Sequence, residues 1–182
     1  MAHADLTAME AGLDHVRSSP RSSGLVERLA RRPAENAREV LAEAELDPAV
    51  GLVGDNWGTR GSGQTADGSA HPELQVTVMN SRAATVVAGD DWELAGDQLY
   101  VDLDLSVANV PPGTRLAVGN AVIEVTAEPH RGCGKFAARF GVDALKLVNS
   151  EAGRELNLRG VNARVISGGL VRPGDEIRKL AA

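Results

Sequence analysis

The sequence predicts one mainly β domain with a few helices, an α+β fold. Three observations carry this. Short apolar runs with period-two alternation recur along the chain, as in Gln98 to Leu105 and Val161 to Ser167. Twenty glycines and eight prolines punctuate it, which calls for many turns. Hydrophobic residues make up 43% of the 182 positions but aromatics only 3%, so the core must be built from Val, Leu, Ile and Ala.

Taken in order, residues 1–20 are weakly patterned and are expected to be poorly ordered or peripheral, with a single domain over 21–182. Ser18 to Gly24 reads as a turn or short linker. Leu25 to Ala30 reads as a first strand, ended by Arg31-Arg32-Pro33. The spacing of Ala37, Val40, Leu41 and Ala44 predicts a packing helix over Ala34 to Leu46, with Glu35 and Arg38 on its other faces. Gly51 to Gly58 is a tight turn around Trp57, expected as a core plug. Thr59 to Pro72 is a polar, mobile loop suited to bordering a site.

Leu74 to Met79 reads as a strand, and Asn80-Ser81 caps a short helix from Arg82 to Ala88. That junction sets free N–H groups beside Arg82, which suits either an anionic group or an ordinary helix cap. Asp90, Asp91 and Glu93 lack a calcium-loop spacing and read as a solvated turn. Gln98 to Leu105 alternates Leu99, Val101, Leu103 and Leu105 against Gln98, Tyr100, Asp102 and Asp104. Thr114 to Val118 and Ala121 to Ala127 form a hairpin over Gly119-Asn120. Helical spacing starts at Phe136 with a break near Gly141. Gly153 to Arg159 is a polar connection, then a strand from Val161 precedes a short final pair ending at Ile177.

Composition excludes several classes. A net charge of −6 argues against nucleic acid as a partner. One cysteine excludes a disulfide framework and a cysteine-based zinc cluster. His3, His15, His71 and His130 have no metal-ligand spacing. No signal-peptide pattern and no membrane-spanning run are visible, so a cytoplasmic location and no membrane partner are expected.

The stretch with chemical content is Ala121 to Gly141. Gly132 and Gly134 flank Cys133, where the missing Cβ atoms allow positive φ and the approach of a bulky ligand. His130, Arg131 and Lys135 lie within three residues of the sulfur. Positive charge favours thiolate, the form that attacks electrophiles and binds soft metals. A lone cysteine is often a small buried hydrophobe, but this setting favours a functional thiol. Gly132 to Ala137 also fits G-x-G-x-x-A. The preceding strand is tied into a hairpin and the motif falls too late for a βαβαβ half, so a dinucleotide site is rejected.

The order of these pieces resembles the MOSC domain, the C-terminal domain family of molybdenum cofactor sulfurases. The resemblance rests on Gly51-Leu-Val-Gly54-Asp55, the strand into Asn80-Ser-Arg82, and Pro112-Gly-Thr-Arg115-Leu-Ala-Val-Gly119. Val122-Ile-Glu-Val125, the Cys133 loop, Arg159-Gly160-Val-Asn-Ala-Arg164 and Gly174-Asp175 complete it. It implies a MOSC-like β-barrel with Cys133, which matches the family cysteine, as metal or sulfur ligand in a molybdenum–pterin cofactor site. It links the chain to sulfur transfer or, as in some stand-alone members, to an oxidoreductase system for N-hydroxylated compounds, with a separate redox or sulfur-donor protein. A non-catalytic carrier of sulfur or cofactor is the alternative. The pyridoxal-phosphate sulfurase domain of larger members is absent, so that cofactor is not expected in this chain. Arg82, Arg131, Lys135, Arg159 and Arg164 are candidates for the cofactor phosphate, with Asn80, His130 and Asn162 beside them.

Overall fold

The computed structural model describes residues 4–181. It begins with α1 (Leu6–Glu10) and α2 (Leu13–Arg17). Asp5 caps α1 by accepting from the Ala8 N–H at 2.8 Å. Met9, Leu13 and Val16 are buried in a core shared with the later helices, so this segment packs on the domain.

β1 (Ser23–Arg31) leads to β2 (Glu39–Leu41), β3 (Ala44–Asp47) and β4 (Gly51–Leu52). The expected helix over 34–46 is therefore corrected to two short strands. Asn36 stands at φ 60°, which stops a helix in its first turn. β2 then pairs with β1, Ala30 opposite Val40, and β3 buries Ala44 and Leu46 on alternate positions. Strand partners supplied by distant chain override a helix-period pattern of Ala, Glu and Leu.

α3 (Trp57–Arg60) buries Trp57, whose Nε1 donates to the His71 carbonyl at 3.1 Å. β5 (Val76–Asn80) runs into α4 (Ser81–Ala88), capped as expected by Asn80 Oδ1 accepting from the Ala83 N–H at 2.9 Å. β6 (Leu99–Val101) is followed by the hairpin β7 (Arg115–Val118) and β8 (Ala121–Val125), turned at Gly119 with φ 53°. α5 (Gly134–Asn149) is broken at Gly141, φ 87° and ψ 167°. α6 (Glu151–Glu155) replaces part of the expected polar connection. β9 (Val161–Ser167), β10 (Gly169–Val171) and β11 (Glu176–Lys179) complete the chain.

Among the described residues, seven strands close into a barrel in the order β11-β7-β8-β9-β5-β6-β1, with β11 pairing back onto β1. β2 extends β1 outside the ring, and β10, β3 and β4 form a small separate sheet. The pair β5–β6 is parallel, bridged by α4, while the other strand pairs are antiparallel. That parallel pair is covered on both faces. Val78, Leu99 and Val101 point into an aliphatic core with Leu116 and Ile123. Met79 and Tyr100 point outward into the second core, against Phe136, Phe140 and the N-terminal helices. Each large aliphatic side chain removed from water contributes about 1.5–3 kcal/mol.

Candidate functional site

The cysteine loop leaves β8 and feeds α5. Asn149 clamps it: the Gly132 N–H donates to Asn149 Oδ1, and Asn149 Nδ2 donates to the Gly132 carbonyl, both at 3.1 Å. Asn162 Nδ2 holds the other limb by donating to the Glu128 carbonyl at 3.0 Å. Neither Gly132 nor Gly134 has positive φ, so their expected role is revised. A Cβ on Gly132 would lie 2.7 Å from Val148 Cγ2, so this glycine lets the loop press on α5. At Gly134 a Cβ would meet nothing within 4 Å, which leaves the space beside the sulfur open. Cys133 itself is exposed, with extended backbone, and its carbonyl accepts from the Ala137 N–H at 3.0 Å.

Cys133 opens onto a cavity of about 600 Å³. Its walls come from the segment after β1, from α3, from the turn before β6, from the start of α5, and from Arg159 ahead of β9. Arg32, Arg38, Arg60, Lys135, Arg139 and Arg159 line it, against one lining carboxylate, Glu35. In a chain of net charge −6 this is a local reversal of sign, and such a cleft attracts anions.

Long-range bonds place these cations. Arg32 donates from its backbone N–H, Nε and Nη2 to the buried carboxylate of Asp55 at 2.9, 3.0 and 3.0 Å. Arg159 is buried, paired through Nη1 with Asp97, and donates through Nη2 to the Ala95 carbonyl at 2.8 Å. Its guanidinium carbon lies 5.1 Å from the centre of the Phe136 ring. Gly160 at φ 95° lets the chain pass over β5 next to Arg159, where a Cβ would stand 2.4 Å from the Val78 carbonyl oxygen. Arg139 Nη1 donates to the Leu94 carbonyl at 2.8 Å. Burial lowers the pKa of Arg38, and the neighbouring charges of Arg139 and Arg32 lower it further.

His130 forms part of the wall, its side chain 17% exposed. Burial and then the charge of Arg159 lower its pKa to about 3, against the opposite pull of Asp97. It is therefore neutral at physiological pH, and its 3.5 Å approach to Asp97 Oδ1 is not an ion pair. Arg38 Nε, Asn56 Oδ1, Asp97 Oδ1, His130 Nδ1 and Arg159 Nε are all buried without a hydrogen-bond partner. Asp97 Oδ1 and His130 Nδ1 face each other at 3.5 Å, while Arg38, Asn56 and Arg159 line the cavity, so three costly unpartnered polar atoms lie on side chains of its wall.

The structure sorts the expected residues. Cys133, His130, Lys135 and Arg159 share the cavity. Arg82 does not reach it: its guanidinium is spent on Asp102 at 2.8 and 3.1 Å and on Ser18 and the His15 carbonyl. Asn80 is a helix cap whose Nδ2 binds Ser19 Oγ and the Leu103 carbonyl. Arg131 and Asn162 line a second cavity behind the cysteine loop. Arg164 is half exposed and pairs with Glu124, so it does not act with the buried Asn162 despite their shared strand face. Arg32, Arg38, Arg60 and Arg139 escaped the sequence reading. Arg32 lies in a strand-ending Arg-Arg-Pro and Arg38 in the segment that forms strands in place of the expected helix; Thr59 and Arg60, at the start of the expected border loop, reach the cavity from α3. Among the described residues no group of three or more His, Cys, Asp or Glu side chains is arranged to hold a bare metal ion, and no helix is long and apolar enough to cross a membrane.

Fold and site together define a small β-barrel protein with one exposed cysteine in a cation-walled pocket. The chain belongs to the MOSC domain family, whose model matches residues 76–178. Among solved structures it is similar to the YuaD protein from Bacillus subtilis at 16% identity and a TM-score of 0.60, covering 85% of this chain and 94% of that one. It is similar to YiiM from Escherichia coli at 18% identity and a TM-score of 0.56, covering 87% and 70%. It is also similar to YiiM from Geobacillus stearothermophilus at 16% identity and a TM-score of 0.52, covering 90% and 75%. At these identities the likeness concerns the fold alone. Among curated proteins none matches the sequence.

Proposed function

We propose that this protein holds a molybdenum–pterin cofactor, with the Cys133 sulfur as a ligand to the metal. The observation that carries the reading is the coincidence, in one cavity, of an exposed soft sulfur donor and six cations. The donor set fits the group: thiolate suits a soft metal centre, and guanidinium groups suit a phosphate. The buried donors Arg38 Nε and Arg159 Nε and the acceptor Asn56 Oδ1, unpartnered within the chain, suit the polar edges of a pterin. When bound, such a cofactor supplies two-electron redox chemistry at the metal. Cys133 anchors it, Asn149 fixes the loop that carries the sulfur, Arg139 neutralises its anionic end, and Arg159, its own charge matched by Asp97, offers its free Nε as a donor. The electron donor is a separate protein, and N-hydroxylated compounds are the proposed substrates.

One observation favours a carrier as the second reading. His130 is held neutral, so the pocket has no imidazolium acid at physiological pH. The test is molybdenum and pterin content of protein purified from a host that makes the cofactor, beside Cys133→Ser. The expected result is both components in the wild type and loss of molybdenum in the variant. Absence of both from the wild type, or full retention by Cys133→Ser, sinks the reading. Turnover of an N-hydroxylated substrate with a reductase supplied then separates enzyme from carrier.

A further inference from the structure

The cations of the pocket exceed the demand of one phosphate. Arg32 is matched by Asp55, Arg159 by Asp97 and Lys135 by Glu35. Arg38 and Arg139 spend one donor each on main-chain carbonyls, and with Arg60 they face no carboxylate at ion-pair distance among the described residues. That leaves three uncompensated guanidiniums, whereas a phosphate monoester brings about two negative charges at neutral pH.

The excess is divided between two parts of the wall. Arg139 and Arg159 donate to the adjacent carbonyls of Leu94 and Ala95. Arg38 Nη2 stands 3.2 Å from the place a Cβ would take on Gly96. These three therefore meet on one short loop, at the Phe136 end of the cavity near Cys133. Arg60 stands on α3, a different part of the cavity wall from the loop that holds those three. Arg32 is tied to the start of α3: the Asn56 N–H donates to the Arg32 carbonyl at 2.8 Å, and the Asp55 carboxylate that binds Arg32 also accepts from the Trp57 N–H at 3.0 Å. Burial and mutual repulsion lower the pKa of Arg38 and of Arg60, the condition of cations arranged for an anion. Arg32, Arg38 and Arg60 also precede residue 76, outside the segment matched by the family model, so family membership alone does not account for them.

We propose that the pocket contains two anion subsites, one at Arg38, Arg139 and Arg159 near Cys133 and one at Arg60 beside Arg32, and that together they take a diphosphate. Two linked phosphoryl groups carry about three negative charges, which balances the three free guanidiniums. Neither subsite depends on whether the ligand carries molybdenum.

The test uses the full chain from a host that does not make the pterin cofactor, titrated calorimetrically with inorganic pyrophosphate and with orthophosphate at fixed ionic strength. One pyrophosphate per chain is expected, bound about tenfold more tightly than orthophosphate. Arg60→Gln reduces that preference to about threefold or less while leaving orthophosphate binding within about twofold, and Arg60→Lys restores part of it. Arg139→Gln weakens both ligands by about fivefold or more. Circular dichroism of each variant confirms that it is folded. Equal affinity for the two anions overturns the proposal, as does a preference that survives Arg60→Gln. Two orthophosphates per chain without a pyrophosphate preference would mean separate anions and would also overturn it. None of these readouts depends on metal, so failure here is distinguishable from failure of the cofactor reading.

Discussion

Inside the barrel, Val78, Leu99, Leu116 and Ile123 are fully buried in one aliphatic cluster. Outside that cluster, beyond the end of β1 and before the start of β9, six cations line a cavity with an exposed thiol. Of the seven buried side-chain polar atoms without a partner among the described residues, five belong to the pocket wall or to Asp97 behind it. The barrel interior is an aliphatic cluster, while the pocket wall gathers cations and unpartnered polar atoms. The contrast teaches where stability and function are stored, because the barrel satisfies itself and the pocket keeps charges apart from their counter-charges.

Three changes sharpen or break that contrast. Ile123→Ala, in the barrel, should lower unfolding stability by about 2–5 kcal/mol in urea titration. Pyrophosphate affinity of the folded variant should stay unchanged, and a large loss of affinity would mean that barrel and pocket are not separable.

The second change is in pH. The pKa of His130 in the folded protein, about 3, lies below its ordinary 6.5, so the unfolded chain takes up the proton first as pH falls. Its contribution is full above pH 6.5 and is lost below, at about 1.4 kcal/mol per unit down to about pH 3. Between pH 7 and 5 the wild type should therefore lose about 1–2 kcal/mol more stability than His130→Gln. Equal slopes would mean that the imidazole is solvated.

The third effect is the smallest and has the opposite sign. Arg38→Gln removes a partly buried guanidinium repelled by Arg139 and Arg32. The free protein should melt slightly higher, by a small margin because solvent screens this partly exposed charge, while anion binding weakens. A variant that loses stability would place Arg38 with the barrel as a structural residue.

Much of the architecture was legible because it is local. The alternation of β9, the Gly119-Asn120 turn, the Asn80 cap and the break at Gly141 follow from periods of two and 3.6 and from backbone freedom at single residues. The region 34–46 misled because its Ala, Glu and Leu residues suit a helix when isolated, whereas β1 and β10 offer strand partners. Gly132 and Gly134 look equivalent in sequence, yet one permits close packing and the other faces open space. Sequence neighbours alone could not distinguish them.

By itself the sequence determined the class of fold, the position of the single cysteine and a short set of residues around it, including His130, Lys135 and Arg159. For His130 and Lys135 the covalent backbone sets the distance to the thiol, whereas Arg159, 26 positions on, entered through the family resemblance. The tertiary structure decided which arginines face the thiol. Barrel closure brings Arg32, Arg38 and Arg60 to Cys133 from roughly seventy to a hundred positions away, and it commits Arg82 and Arg164 to Asp102 and Glu124. A guanidinium has the same charge everywhere in a sequence. Only folding determines whether a carboxylate lies within reach to cancel it.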